Sequence, residues 1–407
     1  MSENAQASRI PVASVVFSYY PDDPRVRREA EALCDAGFDV TVFCLRGKGQ
    51  LPGETVHGVN VRRLPIERKR GSKSRYLWEY FAFIVLSAFV LSVHHFRRRF
   101  RAVHIHNMPD VLVFASVVPR LTGARIILDL HDPMPEVYMA KYNLGANHFV
   151  IRTLCWLERF SIRFSHAVIT PNISFQRLFE QRGCPSGKIH IVMNSPQESI
   201  FLDLPRVPKN NATFTIMFHG TMAERSGILD ALLSMKLLRG KIPGLRFITY
   251  GDGDCAERFV QAIEENAIGD VVTHFGQRSL EEIAAAIPCA DIGLIANQRT
   301  VFTELNLPTR IFEYLCMGTP VIAPRTQGIG DYFAEDALFF FDAGDVSSLS
   351  RTILHTYENP RLRATMVERG QAVYAKHRWE SEQLKLVELY RALGMGIHSV
   401  LSPSNPE

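Results

Sequence analysis

No Cys-x-x-Cys pair occurs in the chain, and its seven cysteines (34, 44, 155, 184, 255, 289 and 316) form no cluster with histidine. That excludes a zinc ribbon and a disulfide framework, and it fits a reducing compartment. No low-complexity tract and no repeat of solenoid length is present. Met1 to Ser8 is polar, so a frayed start without a signal peptide is expected. A membrane span needs ~20 apolar residues. The longest stretch that is apolar but for isolated serines, Tyr80 to Val93 with Ser87 and Ser92, has 14. Acidic residues are scarce in the first half. Residues 1–200 carry 26 Lys+Arg against 17 Asp+Glu, and the remainder 20 against 25. A basic front half suggests an anionic partner such as a membrane surface or lipid phosphate.

What is present reads as α/β. The 407 residues, 46% hydrophobic and 22% charged, suit a globular chain of two or three domains with a large core. Pro11 to Tyr19 is a buried strand, and Arg25 to Ala36 a helix ended by Gly37. Asp23 suits that helix's N-cap and Pro24 its first turn. Phe38 to Leu45, Val59 to Leu64, Ala102 to Ile105, Arg125 to Leu130, His166 to Thr170 and Lys188 to Met193 are further strands. This alternation marks a parallel sheet. Asn194 to Asn211, with Pro196, Pro205 and Pro208, is the best boundary. The rhythm restarts at Ala212 to His219 and ends in an amphipathic helix, Trp379 to Leu393. The expected divisions are residues 10–195, a linker at 196–211, a second domain at 212–375, a last helix at 376–393 and a disordered tail at 399–407.

The most informative stretch runs from Glu304 to Ala323. Pro308 suits a first helical turn, Ile311, Phe312, Leu315 and Cys316 recur at helical spacing, and Gly318 closes the helix before a buried strand. Arg310 and Glu313 are neighbours near the helix start, where a cation suits phosphate and a carboxylate a sugar hydroxyl. Local pattern alone favours a surface ion pair between Arg310 and Glu313. The run P-T-R-I-F-E-Y-L-x-x-G-T-P-V-I resembles the donor-binding helix of the retaining GT-B glycosyltransferases of family 4. That family carries two glutamates eight positions apart. Glu313 matches the second, and Leu305 stands where the first would be, flanked by Glu304 and Asn306. The loop Gly220-Thr221-Met222-Ala223-Glu224-Arg225-Ser226-Gly227 resembles the family's Gly-rich loop ending in Arg-Lys-Gly. Arg225 matches the arginine, and Ser226 replaces the lysine. The turn at Gly251 and the loop at Gln277 resemble segments that meet the nucleoside.

In the first half, Arg25 lies in the loop where the family often has glycines. His104-Ile105-His106-Asn107-Met108-Pro109-Asp110 and Leu128-Asp129-Leu130-His131-Asp132 resemble the acceptor side, with His131 matching a histidine beside the transferred sugar. A metal set of His104, His106 and His131 is a weak alternative. Asp252-Gly253-Asp254 matches a D-x-D motif only in letters. Leu77 to Val93 is an apolar helix flanked by a basic loop, Arg68 to Arg75, and by Arg97, Arg98, Arg99 and Arg101. Trp78 and Tyr80 suit an interface, so it reads either as membrane-touching or as plain core.

The resemblance implies two Rossmann-like domains facing a cleft, a GT-B fold, with the C-terminal helix crossing back to the first. The expected activity is retaining, metal-independent transfer from a nucleotide-sugar to a saccharide or lipid-linked acceptor, without nucleic acid or cofactor. The expected location is cytoplasmic, on the inner face of the plasma membrane. Arg225 and Arg310 are assigned to the pyrophosphate, Glu313 to the ribose, Glu304 or Asn306 to the donor sugar, and His131 to the reacting face. Gly220, Thr221, Gly251, Gln277 and Thr309 complete the donor side, and Arg25, His106, Asn107 and Asp132 the acceptor side. A sugar-nucleotide 2-epimerase and a non-catalytic partner subunit are the rival readings.

Overall fold

The computed structural model describes residues 9–68, 73–202 and 212–396, apart from the side chains at 73, 74, 76 and 77. The expectations for residues 1–8, for the basic loop at 69–72, for the linker at 203–211 and for the tail at 399–407 lie outside the described residues.

Among the described residues the first sheet has eight strands. They are β1 (Ile10–Tyr19), β2 (Phe38–Leu45), β3 (Gly53–Val56), β4 (Val59–Leu64), β5 (Ala102–His106), β6 (Arg125–Asp129), β7 (Ala167–Thr170) and β8 (Ile189–Ile191). Their order is β3-β4-β2-β1-β5-β6-β7-β8, parallel throughout except for the antiparallel β3–β4 edge. Sequence reading omits β3 because Gly53-Glu54-Thr55-Val56 buries no side chain fully and so carries no apolar run. The second sheet holds β9 (Phe214–His219), β10 (Leu245–Tyr250), β11 (Val272–His274), β12 (Ile292–Leu294), β13 (Val321–Pro324) and β14 (Phe339–Phe341), all parallel, in the order β11-β10-β9-β12-β13-β14. Strand order reverses between β1 and β5, and again between β9 and β12. Loops leaving such a reversal diverge and open a crevice at the strands' C-terminal ends.

Three helices position the site. Pro24–Asp35 is capped by Asp23, whose side chain accepts from the Val26 N–H, and its inner face buries Arg25, Arg28 and Glu29. Arg310–Cys316 holds all four apolar positions but starts after Pro308, with Thr309 at its N-cap position making no side-chain bond, and Gly318 follows at φ 76°. Trp379–Ala392 returns to the first domain, where Trp379, Leu386, Leu389 and Tyr390 join a core with Val12, Phe38 and Val42. Two helices depart from the sequence expectation. Lys73–Arg98 has 26 residues and absorbs Arg75, Arg97 and Arg98, which sequence reading leaves as flanks. Met134–Tyr142 is helical where only a strand end was expected.

The two halves are joined by more than the crossing helix. Asp331 accepts from Ser174 Oγ at 2.6 Å and from Arg177 Nη1 at 2.7 Å, and Tyr332 Oη accepts from the Ile173 N–H at 2.9 Å. Phe302 is buried in the first domain's core, 6.1 Å from Phe175 between ring centroids, and Leu305 packs against the same cluster. Apolar packing thus accounts for the leucine at position 305.

The second sheet is packed tightly enough that one methyl group matters. A Cβ on Gly293 of β12 would lie 2.3 Å from the Tyr314 ring. That ring cannot retreat, because it is fully buried and its hydroxyl donates to the Met217 carbonyl of β9 at 2.9 Å. Gly293→Ala is expected to destabilise the second domain by about 1–3 kcal/mol. In thermal unfolding that is a fall of ~2–4 °C per kcal/mol for a domain of this size.

Candidate active site

The first-domain side of the crevice is built around a buried arginine. Arg25 donates from Nε and Nη2 to the two oxygens of Asp129, both at 2.8 Å. Its Nη1 reaches the Val192 carbonyl at 3.1 Å and Asn194 Oδ1 at 2.9 Å, and Glu29 Oε1 lies 3.1 Å from Nε. One side chain therefore ties the first helix to the ends of β6 and β8. Asp129 also lies 3.0 Å from His131 Nε2 and 3.3 Å from His106 Nδ1. His106 bridges onward, 3.0 Å from His131 Nε2 on one side and 3.0 Å from Ser14 Oγ on the other. His104 stacks on His106 with centroids 4.3 Å apart and meets Tyr390 Oη at 3.0 Å.

The charges in this cluster follow from burial and pairing. Burial alone would raise Asp129, but Arg25 and His131 outweigh it and hold the carboxyl well below its ordinary value. Burial pulls His131 down, yet Asp129 prevails and raises it. Burial lowers both His104 and His106. Glu29 is pushed upward by burial. The result is an ionised Arg25–Asp129 pair, a His131 biased toward its cationic form, and neutral neighbours. His131 is the histidine of the three that keeps appreciable access to solvent. The ring is oriented by Asp129, and the His131 backbone N–H donates to Asn107 Oδ1 at 2.8 Å. Asn107 in turn donates to Asp110 Oδ1 and to the Asp132 carbonyl.

Two expectations change here. His106 does not face the cleft openly but is 1% exposed, and it acts by bridging to His131. Four buried groups, Glu29, His104, His106 and Asp129, come close enough to share an ion, a different set from the three histidines. Arg25 already supplies the positive charge that both carboxylates face.

The second-domain side is made of glycine turns and a cation. The Gly220 N–H donates to the Tyr250 carbonyl, and the Gly251 N–H to the Gly276 carbonyl, so the loops after β9, β10 and β11 lie side by side. A Cβ on Gly251 would stand 1.9 Å from the Gly220 carbonyl oxygen, and the residue has φ 139°, so this approach requires glycine. Thr221 and Gln277 are exposed on these loops. Arg310 lies over the Phe218 ring at 4.9 Å, donates to the His219 carbonyl and borders Gly220. Glu313 Oε2 is 3.3 Å from His219 Nε2. Burial pushes Glu313 up to about 7, against the opposing charges of Arg28 and Arg310.

Arg28 comes from the first domain, so it and Glu313 interact across the cleft. Arg225 does the same in reverse. Its guanidinium lies over Phe302 at 5.7 Å, and after His131 it partly offsets the burial that raises Asp132. The structure thus brings Arg25, His106, Asn107, His131 and Asp132 together on one wall, and Gly220, Arg310 and Glu313 on the other. Glu304 is engaged elsewhere: it accepts from the Gln327 N–H at 3.1 Å and pairs with Arg299 at 3.0 Å. Asn306 sits beside the same turn, its carbonyl oxygen 2.7 Å from where a Gly328 Cβ would stand. Sequence reasoning missed Arg28, Glu29, Asp129 and His219 as site residues. The first two had a signal, since 25, 28 and 29 share one helix face, but charges on a helix read as a solvated surface.

Two Rossmann-like domains, with both strand reversals opening on one cleft, define the GT-B class of glycosyltransferase. The chain belongs to the glycosyltransferases of the family 4-like type. Residues 23–195 match the glycosyl transferase 4-like domain, and residues 202–373 match the glycosyl transferases group 1. A sulfoquinovosyl transferase of Arabidopsis thaliana is 21% identical over 71% of this chain, which spans 56% of that relative's length. A chitobiosyldiphosphodolichol beta-mannosyltransferase of Candida glabrata is 21% identical over 89% of this chain and 88% of its own. Among solved structures, a sucrose-phosphate synthase from Thermosynechococcus elongatus superposes with a TM-score of 0.77 at 19% identity, covering 95% of this chain and 99% of its own. An Anabaena protein, HepE, solved with UDP-glucose, gives a TM-score of 0.70 at 16% identity, covering 94% and 100%.

Removing one partner of a buried ion pair costs about 3–5 kcal/mol, because the other is left uncompensated. Arg25→Ala is expected to lose stability on that scale in urea unfolding. Asp129→Asn in the same background should recover part of the loss, the coupling expected of direct partners.

Proposed function

We propose that this glycosyltransferase moves a hexosyl group from a nucleoside-diphosphate sugar to a saccharide or lipid-linked acceptor in cell-surface polysaccharide or glycolipid synthesis. The observation that carries the reading is the facing of two walls. Arg310 and Glu313 lie beside the glycine turns of the second domain, and His131 lies opposite, on Asp129. In the transfer, the bond from the anomeric carbon to the β-phosphate oxygen breaks and its electron pair leaves with the diphosphate. The acceptor oxygen takes that carbon, and its proton passes to the departing phosphate. Negative charge grows on the diphosphate as it leaves, and fixed cations already in place stabilise it without reorganising. Arg310 and Arg225 are the candidates, so the reaction is proposed to run without a metal. His131, biased toward its cationic form beside Asp129, is suited to donate a hydrogen bond to the transferred sugar rather than to take a proton. Retention of configuration rests on the resemblance of the donor helix. Of the relatives, HepE was solved with UDP-glucose, which makes UDP-sugars the first donors to try.

Glu313 supplies a pH test. A carboxyl with a value of about 7 is about one-tenth ionised at pH 6 and nine-tenths at pH 8. Because the folded value exceeds the ordinary 4.5, its stabilising contribution to the free protein is full below that value and is lost as pH rises through about 7. Ribose hydroxyls bind best to the ionised form. UDP-glucose, whose diphosphate does not titrate in this range, should therefore bind about tenfold more tightly at pH 8 than at pH 6 by calorimetry, and Glu313→Gln should bind more weakly with a flat profile. A wild type with no pH response would remove Glu313 from the donor site.

Turnover of donor with acceptor should persist in EDTA. Complete loss, restored by magnesium or manganese, would overturn the metal-free reading. Conversion of donor without any acceptor would point instead to an epimerase, and binding without turnover to a non-catalytic subunit.

A further inference from the structure

We infer that the outer face of the first domain, formed by the Lys73–Arg98 and Phe149–Phe164 helices, is a docking surface for an anionic lipid bilayer. The first helix is apolar on two opposite sides. Tyr80, Phe83, Ser87, Leu91 and His95, spaced three and four apart, are buried against the sheet. Trp78, Phe81, Val85, Phe89 and Phe96 repeat with the same spacing on the other side and are exposed, Phe89 to 67%. A soluble surface helix normally carries polar residues there. The second helix shows the same exposure at Phe149, Trp156 and Phe160. The segment Asp110–Ser116 packs against both helices, and the turn of helix that follows it exposes Val117 and Leu121. The three stripes therefore share one layer. Exposed patches of this kind mark interaction sites.

Charge selects the partner. The described carboxylates on the two helices, Glu79 and Glu158, are both buried and paired, with Arg75 and Arg182. The exposed charges are all basic: Arg97 and Arg98 on the first helix, with Arg99 and Arg101 just beyond, and Arg152, Arg159 and Arg163 on the second. An apolar face with a mainly cationic fringe, in which Arg98 is paired with Asp39 at 3.1 Å, complements a bilayer of anionic lipid, with aromatic rings at headgroup depth. Trp78–Arg98 is long and apolar enough to span a membrane, yet its inner side belongs to the sheet's core, so the helix lies along the interface. Its first turns meet Phe17 at the C-terminal end of β1, since Tyr80 and Phe83 both contact that ring. The cleft therefore opens near the docked edge, where a lipid-linked acceptor would enter. Only this last point rests on the transferase reading.

Intrinsic fluorescence tests the surface directly. Two of the three tryptophans, Trp78 and Trp156, lie on it, and Trp379 is buried. The full chain is mixed with vesicles of phosphatidylglycerol and phosphatidylcholine, with and without brominated acyl chains. Quenching by the brominated lipid is expected at low salt, and Trp78→Phe with Trp156→Phe should abolish it. Co-sedimentation should be at least tenfold weaker on pure phosphatidylcholine. It should fall at least tenfold on the anionic vesicles when Phe89 and Phe160 become serine, at unchanged melting temperature. No sedimentation with anionic vesicles, equal binding to neutral ones, or serine variants that bind as well as wild type would overturn the proposal. So would retention after alkaline carbonate, which marks a spanning helix, or a dimer dissolved by the serine variants without vesicle binding, which gives the face to a second copy.

Discussion

Arg25 against Asp129 is the contact on which the first-domain wall of the cleft depends. Two parallel hydrogen bonds in a buried site fix the carboxylate in position and orientation. That carboxylate then aligns His131 and biases its charge, and His106 links the pair to β1 through Ser14. A buried charge of either sign alone would be untenable. The helix carrying Arg25 must therefore sit where it does before the histidines can be in place. Folding of the first domain and assembly of its half of the site are one event.

The opposite wall is organised by a different economy. Its glycines bring backbone to within contact distance across three loops, and a single guanidinium borders the gap. The first domain contributes fixed side-chain charge, and the second contributes backbone amides and space. Arg28 and Arg225 each reach toward a carboxyl of the other domain, so the electrostatics of either wall are complete only when both are present.

Much of this was legible in the chain. Parallel strands announced themselves as short apolar runs, and Asp23, Pro24 and Gly318 marked helix ends as their conformational preferences dictate. Arg310 and Glu313 were found because a motif placed them on one short helix. β3 was invisible because it buries almost nothing. Asp129 and His219 were invisible for the opposite reason. Their roles arise from distant partners, Arg25 and Glu313, and from burial that local pattern does not encode. Leu305 read as a lost acid, whereas its environment is a hydrophobic seam between domains.

That seam works as a clasp. Phe302 is buried in the core of the domain to which it does not belong. Drawing it out into water costs about 2 kcal/mol, and the hydrogen bonds of Asp331 and Tyr332 to the first domain would have to break with it. Each contact adds to the others, so the two walls of the cleft hold their spacing, and the loop that carries Leu305 fastens one domain to the other.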